Sequence, residues 1–551
     1  MSKKVLIVGG VAGGASAAAR LRRLDENAEI ILFEKDQYIS FANCGLPYHI
    51  GETIKERSKL LVQTPRAMKT RFKIDVRINS EVLRVDTKNK KVKVHSLEKG
   101  DYEESYDYLI LSPGAKPMRP NIPGIDDDRI LSLRNIPDTD KVKAYVDGKN
   151  VRSAVVIGGG FIGVEMAENL RDRNIEVTLV EAAPHILPPF DTEMVLIAEK
   201  EMESNGVTLI LGDGVKSFAG SSDFVEVTTN SDRKLKADMV VLAIGVTPAT
   251  GFLKDSGIDL GPKGHIVVNE RLQTNAEGVY AVGDAIEVVD FVTGQKTAVP
   301  LAGPANKQGR IAADNIAGLK TTYEGTQGTA ILKIFKLIAA STGANERTLQ
   351  RLNIPYKTVF LHPFSHATYY PGAVQMSLKL LFGDNGDILG CQILGYDGVD
   401  KRIDVIATVI RLKGKIKDLQ ELELSYAPPF SSAKDPINMA GFVAQNILEG
   451  RSNMVTFKEV LERDKEKTIL LDVRTEEEFS EGHLEGAVNI PVDSLRDRLS
   501  ELGQDKEIIE YCQVGLRGYI ANRILAQNGF DVKNVTGGYK SYSILQYDKK
   551  K

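Results

Sequence analysis

The sequence predicts an α/β protein of several domains, with parallel strands joined by crossing helices. Three observations predict it. Near the N-terminus an apolar strand, Val5–Val8, runs into the glycine turn Gly9-Gly10-Val11-Ala12-Gly13-Gly14 and an alanine-rich helix, Ala15–Leu24. The same order returns at Ala154–Ile157, followed by Gly158-Gly159-Gly160-Phe161-Ile162-Gly163 and a helix to Arg171. A third strand, Ile508–Tyr511, delivers Cys512 into the short loop Cys512-Gln513-Val514-Gly515-Leu516-Arg517.

The first unit continues into a strand, Glu29–Phe33, that ends at Glu34. A strand, a glycine turn, a helix and an acid about 20 residues on place a pyrophosphate at a helix N-terminus and a ribose on a carboxylate. Val11 stands where the usual middle glycine would be, so this fingerprint is incomplete. In the second unit Gly158, Gly160 and Gly163 complete the pattern, and the strand Glu176–Val180 ends at Glu181. A carboxylate there accepts both ribose hydroxyls and repels a 2′-phosphate, which favours NADH while leaving NADPH possible.

Two further apolar strands, Tyr108–Leu111 before Ser112-Pro113-Gly114 and Met239–Ile244 before Gly245, end in small residues that let the chain pass close to a nucleotide. Val279–Val282 leads into Gly283-Asp284, an acid suited to a ribityl hydroxyl, and a helix follows near Ala305. This order predicts two Rossmann-like dinucleotide-binding domains, the first interrupted by the second. The expected boundaries are 1–150 with 275–327, then 151–274, a mixed α/β domain over 328–447, a linker over 448–454, and a last α/β domain over 455–551.

Bulk properties agree with this picture. A chain of 551 residues has room for roughly three to four domains with their own cores. Its apolar and charged fractions, 42% and 26%, are those of globular proteins. A net charge of −3 provides no general field for nucleic acid. Basic residues do gather locally, in Arg20, Arg22 and Arg23 and in Lys69, Arg71 and Lys73, which suits an anionic small molecule; a solvated helix face is the competing reading. Three cysteines cannot build a disulfide framework, so reduced thiols and a cytoplasmic setting are expected. Val5–Val8 is too short for a signal-peptide core and no later run approaches a membrane span, so no membrane partner is expected, and no metal site. Cys391, in an apolar run, reads as a core residue.

With these motifs in order, residues 1 to about 447 resemble the flavoprotein disulfide reductases, and within them the single-cysteine branch of coenzyme A disulfide reductases, NADH oxidases and NADH peroxidases. That branch carries S-F-x-x-C-G, which Ser40–Gly45 match. The last hundred residues resemble a rhodanese domain through Asp472-Val473-Arg474, Glu478-Phe479, Gly482-His483-Leu484, Gly486-Ala487, Asn489-Ile490-Pro491 and the Cys512 loop. The combination is similar to coenzyme A disulfide reductase–rhodanese fusions, also discussed as CoA-persulfide or polysulfide reductases.

The resemblance implies FAD on Gly9, Gly14, Glu34, Lys35, Asn43, Gly114, Gly283, Asp284 and Ala302. It implies NAD(P)H on Gly158, Gly160, Phe161, Ile162, Gly163, Glu165, Glu181 and Gly245, with Glu165 meeting the nicotinamide–flavin stack. Coenzyme A, as substrate or as a mixed-disulfide ligand, falls to Arg20, Arg23, Ser40, Asn43 and Lys434. Relatives place a lysine after an arginine where this chain has Arg71-Phe72, so a phosphate contact shifts to Arg71 or Lys73 or is lost. The catalytic set implied is Cys44, Tyr369 (with Tyr370 as the alternative) and Tyr426, the tyrosines reaching the cysteine of a partner subunit in a homodimer, plus Cys512 and Arg517.

The expected chemistry is thiol exchange. A Cys44 thiolate attacks CoA-S-S-R, forms Cys44-S-S-CoA and expels R-S⁻, and a positive dipole or an oxidised flavin lowers the thiol's pKa. In the C-terminal loop successive backbone N–H groups are expected to ring the Cys512 sulfur and favour a persulfide. Cys512 to Arg517 spans the six residues of sulfurtransferase loops, one fewer than in related phosphatases. The peroxidase branch has a histidine where this chain has Ala12, which disfavours peroxide chemistry. The predicted function is an FAD-dependent reductase of CoA disulfide, CoA persulfide or polysulfide with a fused sulfurtransferase. The alternatives are a water-forming NADH oxidase and a CoA-based thiol redox sensor.

Overall fold

The computed structural model describes residues 3–148 and 150–548. The chain divides into two compact units: one runs to Ile186 and includes Gly206–Gly328, the other takes Leu187–Asn205 with Thr329 onward.

The first unit contains two parallel five-stranded sheets. One has the order Val279–Ala281, Tyr108–Leu111, Lys4–Val8, Glu29–Phe33, Asp75–Arg77. Continuous apolar runs such as Val5–Val8 are buried on both faces, as a parallel sheet covered by helices demands. The helices Ala12–Leu24 and Ala302–Ile316 cross so closely that a Cβ on Gly309 would fall 2.2 Å from the Gly13 carbonyl. The second sheet has the order Val207–Leu211, Glu176–Glu181, Ser153–Ile157, Met239–Leu242, Ile130–Leu131. Both dinucleotide-type units predicted above are therefore present.

The second unit holds an antiparallel five-stranded sheet, from Ala330–Ile334 to Lys357–Leu361, and a parallel one. Cys391 lies in the antiparallel strand Ile388–Gly395 and is 1% exposed, a core residue as expected. Leu187–Asn205 joins this unit through a buried ion cluster. Lys379 Nζ lies 3.1 Å from Asp191, 3.1 Å from Glu193 and 2.9 Å from Glu346.

The parallel sheet has the order Asn453–Val455, Val532–Val535, Glu507–Tyr511, Thr468–Asp472, Val488–Asn489. Only Glu449–Ser452 separate its first strand from the preceding helix, Pro436–Leu448. Its sheet packs on the antiparallel domain through a Phe360 N–H donated to Thr536 at 2.8 Å and through His362, held between Ser377 and Ser541 at 2.9 Å each. Burial pushes that imidazole down to about 3, so it is a neutral structural bridge. Among the described residues, no helix is long and apolar enough to cross a membrane.

Candidate active site

Strand register places the first glycine turn. Val8 pairs with Leu111 and Leu111 with Ala281, so Gly9, Ser112 and Gly283 emerge together at the carboxyl edge of the sheet, where α/β proteins bind ligands. Gly9 has φ +95°, and a Cβ there would lie 2.0 Å from the Ser112 carbonyl, so only glycine fits. Gly158 repeats this in the second sheet, with φ +105° and a Cβ position 2.4 Å from the Ala243 carbonyl.

Each turn is locked by its acid. Glu34 accepts hydrogen bonds from the N–H of Gly10 (2.8 Å) and Asp36 (3.1 Å), and burial pushes its carboxyl up against that stabilisation. Glu181 accepts from Gly159 (2.6 Å) and Ala183 (2.7 Å). Gly160 opens the helix Phe161–Asp172, and the space a Cβ would take there is empty, which suits close approach of a phosphate.

A cleft of about 280 Å³ opens at the first turn. Gly9, Glu34, Lys35, Asn43 and Gly114, named above for FAD, line it together with Ser112, Arg134, Asn135 and Asp138. Its mix of backbone turns, carboxylates and an arginine fits the nucleotide end of FAD. Gly14, Gly283, Asp284 and Ala302 lie outside this lining. Gly14 is a packing residue, its Cβ position 1.9 Å from the Gly9 carbonyl. Asp284 pairs with Arg134 at 2.9 Å, which links it to the cleft.

A groove of about 330 Å³ runs on the other side of the Ser40–Asn43 segment. Ser40 lines the groove, whereas Phe41 and Asn43 line the cleft, so this segment is the wall between them. Arg20 and Arg23, named above for CoA, line the groove with Gln63, Met68, Phe72, Asn306 and Arg310. Asn43 lines the cleft and not the groove, and Ser40 before it has φ +42°. Arg22 is 7% exposed and donates to the carbonyls of Phe72, Asp25, Glu26 and Lys73, so it ties the chain together and is withdrawn from the basic cluster. Arg71 and Lys73 lie outside the groove lining, and Lys73 pairs with Glu26 at 3.1 Å. Lys434 belongs to the second unit.

Cys44 caps this wall. It is exposed in the turn Asn43–Gly45, immediately before the helix Leu46–Ile50. Contrary to the expected depression, the chain's own groups hold its thiol above the ordinary value: desolvation contributes most, then Glu165 and Asp284, with Arg134 opposing. Burial and the neighbouring Glu168 push Glu165 itself up to about 7, and the Tyr48 hydroxyl donates to it at 3.5 Å. Tyr48 closes the segment Asn43–Tyr48 around the cysteine, but its contact with Glu165 was not read from the sequence, and Arg134 sits in no motif.

In the second unit the Tyr369 and Tyr426 hydroxyls are hydrogen-bonded at 2.8 Å, both on exposed side chains, while Tyr370 packs edge-on against His366. Cys512, at the end of the strand Glu507–Tyr511, is 1% exposed and accepts one hydrogen bond, from the Gly515 N–H at 3.1 Å, in place of the expected ring of several. Arg517 is turned onto Glu478 in a two-pronged ion pair of 2.6 and 2.7 Å, which holds the Glu478 carboxyl down at about 2. Arg474 is bound to Asp472 at 2.7 Å and lies 4.0 Å over the Tyr539 ring.

Residues 3–309 match the pyridine nucleotide-disulphide oxidoreductase family, and 329–436 its dimerisation domain. The chain belongs to this family. It is a flavoprotein disulfide oxidoreductase that uses FAD and NAD(P)H, and residues 456–544 add a rhodanese-like domain. It is 36% identical over 448 residues to the coenzyme A disulfide reductase of Staphylococcus haemolyticus, covering 81% of this chain and 100% of the relative. It is 34% identical over 451 residues to an NADH oxidase of Methanocaldococcus jannaschii, covering 82% and 100%. Both relatives match the reductase part. Two solved structures match nearly the whole chain. Reduced Bacillus anthracis CoADR-RHD has a TM-score of 0.97, 51% identity and coverage of 99% of this chain and 98% of that one. An NAD-dependent persulfide reductase from A. fulgidus has a TM-score of 0.90, 35% identity and coverage of 98% and 100%.

Proposed function

We propose that this protein is a cytoplasmic, homodimeric, NADH-dependent reductase of CoA disulfide or CoA persulfide, with Cys512 as a sulfane-sulfur carrier. The observation that carries the reading is the wall Ser40–Asn43: a basic, partly apolar groove on one side, a dinucleotide cleft on the other, and Cys44 at its end. Such a groove suits a ligand with anionic phosphates and a thiol at the end of a long arm. Arg23 and Arg310 add cations to it, while Arg20 is shared with Asp314 at 2.6 Å.

In this reading Cys44 thiolate attacks the CoA-side sulfur of the substrate. A new S–S bond forms in Cys44-S-S-CoA, the substrate's S–S bond breaks, and R-S⁻ leaves. The cleft lined by Gly9, Glu34, Lys35 and Gly114 would hold FAD, which would supply the two-electron chemistry between NADH and the mixed disulfide, so that Cys44 and CoA are released as two thiolates. Glu165 and Tyr48 hold a proton beside Cys44 that a leaving thiolate can take up. Tyr369 and Tyr426, paired on an exposed face with Phe430, are assigned to the partner subunit's Cys44 site. Glu181 selects NADH by accepting the ribose hydroxyls. Arg517 shapes the Cys512 loop, and Lys434 is kept as a CoA contact.

Mass spectrometry of the purified protein tests the substrate class. CoA disulfide-bonded to the Cys44 peptide, with stoichiometric NADH consumption on added CoA disulfide, is the expected result. Reduction of oxygen to water faster than CoA-disulfide reduction would establish the NADH oxidase reading instead, which the Methanocaldococcus relative keeps in play.

A further inference from the structure

Under the Cys512 loop lies a sealed polar cluster with no part in the chemistry above. Glu510, Asn522 and Asn534 are 0%, 1% and 2% exposed. Glu510 stands two residues before Cys512 on the strand Glu507–Tyr511, so the two side chains leave the same side of the sheet. Asn534 is its register partner on the adjacent strand, and Asn522 comes from the helix Leu516–Gln527. Gly518 of that helix closes the cluster. A Cβ there would fall 2.8 Å from Asn534 Oδ1 and 2.9 Å from Glu510 Oε2, so both oxygens press on one point.

Donors and acceptors do not balance if Glu510 is ionised. Glu510 Oε1 and Oε2, Asn534 Oδ1 and Asn522 Nδ2 are all buried and make no hydrogen bond of ordinary geometry, although the Asn522 amide lies close enough to Glu510 to act on it. A carboxylate leaves three acceptor oxygens facing one amide nitrogen, with its two N–H groups. A proton on Glu510 turns one of these oxygens into a donor toward another, and buried groups left unmet are costly. Among the described residues, no cation on the surrounding elements is paired with Glu510 to offset a carboxylate. Arg517 is bound to Glu478 (2.6 Å), Arg474 to Asp472 (2.7 Å), Lys533 to Glu507 (2.6 Å), and Arg523 to the Arg451 carbonyl. Burial pushes the Glu510 carboxyl well above its ordinary range; the charge of Cys512 adds to this and the Asn522 amide opposes it.

We propose that Glu510 is a positioning residue that keeps its proton, bonded toward Asn534, so that the negative charge of this corner resides on the Cys512 sulfur, as thiolate and as persulfide. The proposal rests on the reading of Cys512 as a sulfane-sulfur carrier. Glu510 forms and breaks no bond to sulfur. Its proton stays in place during transfer, because two anions in one sealed site repel each other strongly.

Infrared difference spectra of the FAD-bound enzyme at about pH 8, wild type minus Glu510→Gln, test it. A protonated-carboxyl stretch in the difference is the expected result. Carboxylate bands instead, as when an inverted Asn534 amide donates to an ionised Glu510, overturn the proposal. If Glu510→Gln does not fold, Cys512→Ser still reads the coupling in the opposite direction. Removing the sulfur anion should move the loss of that band to lower pH by about one unit or more, and no shift overturns the proposal. Absence of a persulfide on the Cys512 peptide after exposure to a sulfane-sulfur donor overturns the carrier reading beneath it, without altering either band.

Discussion

At Cys44 the charged neighbours divide unevenly, with Glu165 and Asp284 disfavouring the thiolate and Arg134 favouring it. Glu165 titrates near the middle of the working pH range, at about 7, so its effect on Cys44 is itself pH-dependent. Below that value the carboxyl is protonated and silent; above it a carboxylate repels the sulfur anion. Glu165→Gln should therefore raise the alkylation rate of Cys44 at about pH 8 by about threefold or more and leave it unchanged near pH 6, read by mass spectrometry of the Cys44 peptide. Cys44→Ser should abolish NADH-driven disulfide reduction while FAD stays bound, since no FAD contact assigned here needs the sulfur. Loss of the flavin absorbance in that variant would contradict a nucleophilic role. Glu165 was legible from its place just after Gly163. The contact of Tyr48 with Glu165 and the pairing of Arg134 with Asp284 were not, because each joins residues far apart in the chain.

The strand–turn–helix units show what periodicity reveals and what it conceals. Strand, glycine and acid could be read in both because each constraint is local: a positive φ at Gly9 and Gly158, and a carboxylate bonded back to its own turn. The helix Ala12–Leu24 held a second signal that charge counting overlooked. Ala18, Leu21 and Arg22 share its buried stripe, whereas Ala15, Ser16, Ala19, Arg20 and Arg23 line the groove. Helical spacing thus separates the structural arginine from the two groove arginines. Arg310, across the groove on another helix, has no such local signal. At the end of the second unit's acid strand, Glu181→Ala frees the Gly159 and Ala183 N–H groups and removes the charge that would repel a 2′-phosphate. The ratio of kcat/KM for NADH over NADPH should fall by about tenfold, with FAD content unchanged. An unaltered ratio would show that Glu181 does not reach the ribose.

On the scale of the molecule, each compact unit carries its own sulfur: Cys44 exposed beside a dinucleotide cleft, Cys512 buried under a loop. The two need different deliveries. A soluble CoA disulfide can reach exposed Cys44 by diffusion. A persulfide sulfur is reactive and is better passed between bound carriers, for which Cys512 has a backbone N–H at 3.1 Å and neutralised arginines on either side. The Cys512→Ser variant should therefore reduce CoA disulfide within about twofold of the wild-type rate, yet lose at least about tenfold in NADH oxidation driven by sulfane-sulfur donors. The distinction is sharp because Cys512 supports the core of its own sheet and not that of the Cys44 unit. Serine is slightly smaller, so a small loss of stability is expected in the rhodanese-like domain alone. Thiosulfate-to-acceptor transfer gives the second reading of the same variant. If that transfer and polysulfide-dependent NADH oxidation both persisted at wild-type rates, Cys512 would have no part in either half of the chemistry.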